Sequence, residues 1–165
     1  MVWTRQGDPF TIEYRFSNDG VTWIEPERLS VGDKTVGNAQ IEADRLGNVH
    51  LTWTEFGGLL YYRRWTPDGG WSEPVDVSLN ETDSAFYRMT VNDEGLAHVI
   101  FNWAEMFYVA QQTDGRWSAP VQLTHREIGD PEMVNPDVAV DAAGVPHFVW
   151  TVQDDTEDIY YSTLE

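Results

Sequence analysis

Three histidines raise the first chemical question. His50, His98 and His147 stand 48 and 49 residues apart, and Asp44, Asn92 and Asp141 precede them by six residues each. Imidazoles near carboxylates are raw material for metal sites and for general acid–base work. Here each histidine belongs to its own copy of one phrase: DRLGNVHLTW (44–53), NDEGLAHVIF (92–101) and DAAGVPHFVW (141–150). Equivalent places in successive structural repeats are kept apart, so each imidazole is expected to bond the turn before it. No metal ligand, catalytic residue or cofactor site is assigned. Asp44 with Gly47, and Asp141 with Gly144, read as turn formers, the carboxylate bonding its own backbone and the glycine supplying a positive φ.

A second phrase alternates with the first: SNDGVTWIEPERLS (17–30), TPDGGWSEPVDVS (66–78) and TDGRWSAPVQLT (113–124). Asp19–Gly20, Asp68–Gly69 and Asp114–Gly115 are expected to form its turns, with Trp23, Trp71 and Trp117 following. Strands rich in aromatic residues come before each copy, and a last one, IYYST, lies near the C-terminal end of the sequence. Each repeat thus holds four short runs with strand chemistry, and no stretch shows a helical period.

Four antiparallel strands per repeat of about 46 to 50 residues predict an all-β chain, a β-propeller of four-stranded blades. With strands A to D counted from the axis outward, the order is BCD, ABCD, ABCD, ABC. That is a partial blade over 1–30, whole blades over 31–78 and 79–124, and a partial blade over 125–165, all in a single domain. The recurrent Trp, Tyr, Val and Ile are the expected filling between blades, because one blade cannot bury both of its faces.

Loops between these strands are the places for a ligand. TRQGDPF (4–10), TEFGG (54–58), NETDSAFYR (80–88), HREIGDPEMVNPD (125–137) and QDDTED (153–158) fall on the face where propeller ligands usually sit. Their carboxylates lack the dense Asp-x-Asp-x-Asp spacing of a calcium loop, so solvated charge is expected. For a sugar, the useful groups are aromatic rings beside cations and carboxylates. Trp65, Phe56 with Glu55, and Tyr87 with Arg88 are the candidates, with Arg126 from a neighbouring repeat.

Composition narrows the classes further. In 165 residues, 28 are acidic and 10 basic, a net charge of −18, with Lys34 the single lysine. Such a field repels phosphate backbones and excludes nucleic acid as an expected partner. A saline habitat and simple resistance to aggregation both account for the acidity. The N-terminal residues show no signal-peptide pattern and no apolar run approaches a membrane span, so neither a leader nor a membrane partner is expected; location stays open. Absent cysteine excludes disulfides and thiolate chemistry.

The DG–Trp phrase resembles the Asp-box, or BNR, repeat of sialidase-like propellers, which reads roughly Ser-x-Asp-x-Gly-x-Thr-Trp. Gly20, Val21, Thr22 and Trp23 match its second half; Ser17 and Asp19 match the first half only if one residue is dropped. The resemblance implies a structural turn between the third and fourth strands, away from the ligand face. Sialidases also need three arginines, a Tyr–Glu pair and an Asp acid. Arg5, Arg88 and Arg126 lie in different repeats, but no family motif surrounds them, so catalysis is not carried over.

The reading is a non-enzymatic sialidase-like propeller module that binds glycan or protein. Unfilled blade faces at both ends predict a homo-oligomer that completes a ring, most simply a dimer. A sialidase-type hydrolase domain, and a fragment or engineered repeat with no evolved ligand, are the alternatives.

Overall fold

The computed structural model describes residues 1–78, 86–103, 105–127, 130–153 and 158–164. Among them no helix occurs, and thus none long and apolar enough to cross a membrane. The described residues form antiparallel sheets that follow one another along the chain. The first holds β1 (Val2–Arg5), β2 (Thr11–Tyr14) and β3 (Glu27–Arg28) in that order. The second holds β4 (Val36–Ala43), β5 (Val49–Glu55) and β6 (Leu60–Thr66), with β7 (Gly70–Trp71) and β8 (Val75–Asp76) both on the outer edge of β6. The third runs β9 (Tyr87–Val91), β10 (Ala97–Trp103), β11 (Glu105–Ala110) and β12 (Val121–Gln122). The fourth has β13 (Glu132–Val140), β14 (Pro146–Gln153) and β15 (Asp158–Thr163).

Turn chemistry explains where these strands reverse. Asp44 Oδ1 accepts from the backbone N–H of Leu46 (2.9 Å) and Asn48 (2.8 Å), and Asn92 Oδ1 does the same for Glu94 and Leu96. Asp141 Oδ1 accepts from Ala143 and Val145. The turn glycine in the second of these, Gly95, has φ of +77°, and a Cβ there would stand 2.7 Å from Asp44 Oδ2 of the preceding sheet. Successive turns therefore touch, and Arg45 pairs with Asp93 across the same junction at 2.9 Å.

In the second phrase, Asp19 Oδ1 accepts from Val21 (2.8 Å) and Thr22 (2.7 Å), and Asp114 Oδ1 accepts from Arg116. The turn at Asp68–Gly69 departs from the expectation. Its positive φ lies at Gly70, and Thr66 Oγ1, accepting from Gly69 N at 3.0 Å, does the capping. The extra glycine of TPDGG moves the left-handed position one residue on.

Each sheet buries a face against the next. Ile12, Tyr14 and Leu29 of the first meet Val36, Leu51 and Trp53 of the second. Leu60, Tyr62 and Val77 of the second meet Tyr87, Val99 and Phe101 of the third. Ile100, Met106 and Tyr108 of the third meet Val138, Phe148 and Trp150 of the fourth. Two-residue alternation along each strand supplies both faces at once.

The ends differ from the middle. Ile41, on the side of β4 toward the three-stranded first sheet, is 48% exposed, whereas Met89 and Val138 at the equivalent positions of β9 and β13 are 8% and 6% exposed. The first sheet, among the described residues, ends at β1 and leaves Ile41 half exposed.

Candidate functional site

The first strands of the second and fourth sheets carry the same device, which the first strand of the third sheet lacks. Pairing of β4 with β5 slips between Gly37 and Gln40, and pairing of β13 with β14 slips between Val134 and Asp137. The extra residues are Asn38 and Asn135, with φ of 53° and 51°. Asparagine tolerates this left-handed conformation better than other side-chain-bearing residues, which suits it to a bulge.

The bulge at Asn38 shapes a cleft between β4 and β9. Its carbonyl turns toward Tyr87 and accepts from that hydroxyl, as does the Thr52 carbonyl at 3.1 Å. Gln40 then bridges the two strands: its Nε2 donates to the Tyr87 carbonyl at 2.9 Å, and its Oε1 accepts from Met89 N at 3.1 Å. A side-chain amide thus joins two strands of different sheets as a backbone peptide would. Arg88 Nη1 donates to the Tyr87 carbonyl at 3.0 Å while the rest of the side chain faces solvent. The resulting cleft of about 390 Å³ is lined by Asn38, Ala39, Gln40, Phe86, Tyr87 and Arg88.

Its described lining offers hydrogen-bond donors and an aromatic ring. Arg88 is a fixed cation with a planar fork of donors, Asn38 offers an amide, and Phe86 leaves part of its ring exposed. Among the described residues, the lining holds no carboxylate and no imidazole. Burial pushes the Tyr87 hydroxyl far above its ordinary range, so it stays protonated.

The remaining sequence candidates scatter. Tyr87 lines the cleft, yet it is only 2% exposed and its ring belongs to the core between the second and third sheets. Glu55 is buried at the end of β5 and tied to Lys34 Nζ at 2.8 Å. Phe56 projects into solvent from the β5–β6 loop beside it. Trp65 stands apart from the other candidates. It lies at the far end of β6, next to the 66–70 turn, and stacks on Phe16 of the first sheet with centroids 6.5 Å apart. Strand length alone separates it from the β5–β6 loop by roughly 20 Å.

Arg126 lines a second cleft of about 350 Å³ with His125, Asp130 and Trp150. Its backbone N–H donates to Glu105 Oε1 and its Nη2 to the Asp130 carbonyl. Arg5 lines a third cleft and pairs with Glu13 at 2.9 Å. The three arginines therefore serve separate clefts. Residues 80–85, 128–129 and 154–157 of the loops named above lie outside the described residues.

The histidines form a series of bonded sets. His50 Nε2 lies 3.3 Å from Asp44 Oδ2 and its Nδ1 is 2.8 Å from the Tyr62 hydroxyl. The carboxylate must accept, so Nε2 carries the proton and Tyr62 donates to Nδ1. Burial lowers the His50 pKa despite the pull of Asp44. His147 repeats the arrangement with Asp141 at 3.4 Å and Tyr161 at 2.7 Å. His98 meets Tyr108 at 2.5 Å but has Asn92 in place of the acid; burial alone lowers its pKa to about 4. No group of three or more metal-ligating side chains occurs among the described residues.

Reasoning from sequence missed Asn38, Gln40 and Phe86. The signal was there for the first: Asn38 and Asn135 are 97 residues apart, the same interval as Asp44 and Asp141.

No family model and no curated protein matches the chain. Among solved structures, the chain is similar to an endo-arabinase from Bacteroides thetaiotaomicron, at 13% identity and a TM-score of 0.49, over 99% of this chain and 73% of that one.

Proposed function

We propose that this chain is a non-catalytic β-propeller module of the Asp-box type that joins a second copy and binds glycan in the cleft between β4 and β9. In this reading the sheets are blades, two whole and two lacking a strand. The observation that carries the binding role is the cleft itself, where exposed Arg88, the Asn38 amide and Phe86 converge around space for a sugar ring. A pyranose would lay its apolar face on Phe86 and direct hydroxyls or a carboxylate to Arg88.

The experiment is saturation-transfer NMR of the wild-type chain and Arg88→Ala against a panel of neutral and acidic oligosaccharides, beside a fluorogenic sialoside assay. Binding weakened at least tenfold by the substitution, with no turnover, is the expected result. Turnover abolished by Arg88→Ala or Arg126→Ala would establish a sialidase-type hydrolase instead. No binding to any member would leave the fold without an evolved sugar ligand.

A further inference from the structure

One aromatic contact recurs at two of the junctions between successive sheets. Trp71 of the second sheet sets its ring edge-on against Tyr14 of the first, at 5.3 Å and 84°. Trp117 of the third does the same to Tyr62 of the second, at 5.0 Å and 75°. Both tryptophans follow the turn of the second repeated phrase, and both tyrosines lie on the third long run of their repeat. Two tyrosines and one tryptophan are left over, and one of those tyrosines, Tyr108, meets Phe148 of the fourth sheet edge-on at 4.9 Å, which leaves a single tyrosine without a ring from a further sheet.

The tyrosine is Tyr161. It bonds His147 as Tyr62 bonds His50, yet it is 62% exposed where Tyr62 and Tyr108 are 3% and 6% exposed. Val149 and Ile159 are exposed beside it, and the register of β14 with β13 and β15 puts all three on one face with Asp137. The tryptophan is Trp23. It occupies the same place after its turn as Trp71 and Trp117, on the side of the first sheet away from the second. Arg15 lies over its ring at 4.5 Å and over Trp3 at 5.9 Å, and Arg15 Nε has no partner among the described residues.

We infer that Trp23 of one copy seats on Tyr161 of a second, and the reverse, closing a ring by two identical head-to-tail contacts. This rests on the self-assembly reading above and specifies its surface. The occupant is a second copy because the group that meets this tyrosine in the internal series, a tryptophan after an Asp–Gly turn, has no tyrosine against it in Trp23, where Arg15 lies over the ring instead. Charge agrees: Arg15 comes to a face bearing Asp137 and Asp141. Each contact joins different patches, so only a closed ring avoids an open filament.

The test is light scattering coupled to size exclusion on the wild type, a head variant Trp23→Ser, and a tail variant Tyr161→Ser with Val149→Asp. Circular dichroism checks that each variant folds, and Arg15→Glu is a second head variant if Trp23→Ser does not. Twice the chain mass for the wild type is expected, with the single-chain mass for each variant alone. An equimolar mixture of head and tail variants, which restores one intact contact per pair, is expected to recover dimer. Dimer persisting in both variants would overturn this interface while leaving self-association standing. A single-chain mass for the wild type at low and molar salt would overturn both, and a mixture that stays single-chain would overturn the head-to-tail pairing.

Discussion

The His50 and His147 sets are built from the same residue types at the same spacing, yet they live in different media. His50 and Asp44 have side chains 0% exposed, covered by the third sheet; His147 and Asp141 are 35% and 42% exposed. The bond lengths are nearly alike, at 3.3 and 3.4 Å to the acid. What differs is the consequence of losing a bond. A buried group stranded without its partner bears the full cost of desolvation, whereas an exposed one turns to water. A repeat therefore reproduces geometry faithfully while the neighbouring sheet decides how much that geometry matters.

The sharpest way to break the comparison is to delete the ring in each place. His50→Ala leaves Asp44 and Tyr62 buried without their shared partner and is expected to cost about 3 kcal/mol in urea unfolding. His147→Ala, measured at a concentration where the chain is single, should cost less than about 1 kcal/mol. Equal losses would mean that burial is not the deciding variable.

Acid should separate the sets next. His98 is held neutral by burial with a pKa of about 4, and His50 is lowered in the same direction. Their unfolded forms bind a proton near pH 6.5, so the unfolded state takes up more protons in between. The stability they contribute is full above about pH 6.5 and falls as pH drops toward 4. For His98 the loss is on the order of 3 kcal/mol. His98→Gln should flatten the pH dependence of the unfolding midpoint over that window; an unchanged slope would show that His98 does not carry it. Depressed carboxylates such as Asp44 and Asp141 lose their contribution only at lower pH.

The smallest effect distinguishes two turns of identical conformation. Gly95 and Gly144 have φ of +77° and +82°, but only at Gly95 would a Cβ meet another atom, Asp44 Oδ2. Gly144→Ala should cost about 1 kcal/mol for the left-handed backbone alone. Gly95→Ala should exceed it by a further 1 kcal/mol or so, because Asp44 is fixed by Asn48 and His50 and cannot step aside freely. Thermal unfolding of the pair reads the difference.

Local chemistry was legible from the chain before any coordinates. Alternating apolar and polar residues fix strands, and Asp44, Asn92 and Asp141 with their glycines fix antiparallel reversals, because those bonds span only two to four residues. The all-β character and the absence of helix among the described residues follow from that alone. Position within a strand was legible less well: Trp65 has the composition of a ligand residue, but the direction of β6 carries it to the far end.

Other matters were decided by packing between sheets. Whether Tyr87 is a sugar contact or a core ring depends on the carbonyls of Asn38 and Thr52, 49 and 35 residues away, which no local pattern names. Whether a Tyr–His–Asp set is silent and buried or open to a partner depends on what lies across the face. The sequence writes each repeat with nearly the same residues, so it determines what every sheet can do; only the neighbour in space, through desolvation and ring contact, determines which of them does it.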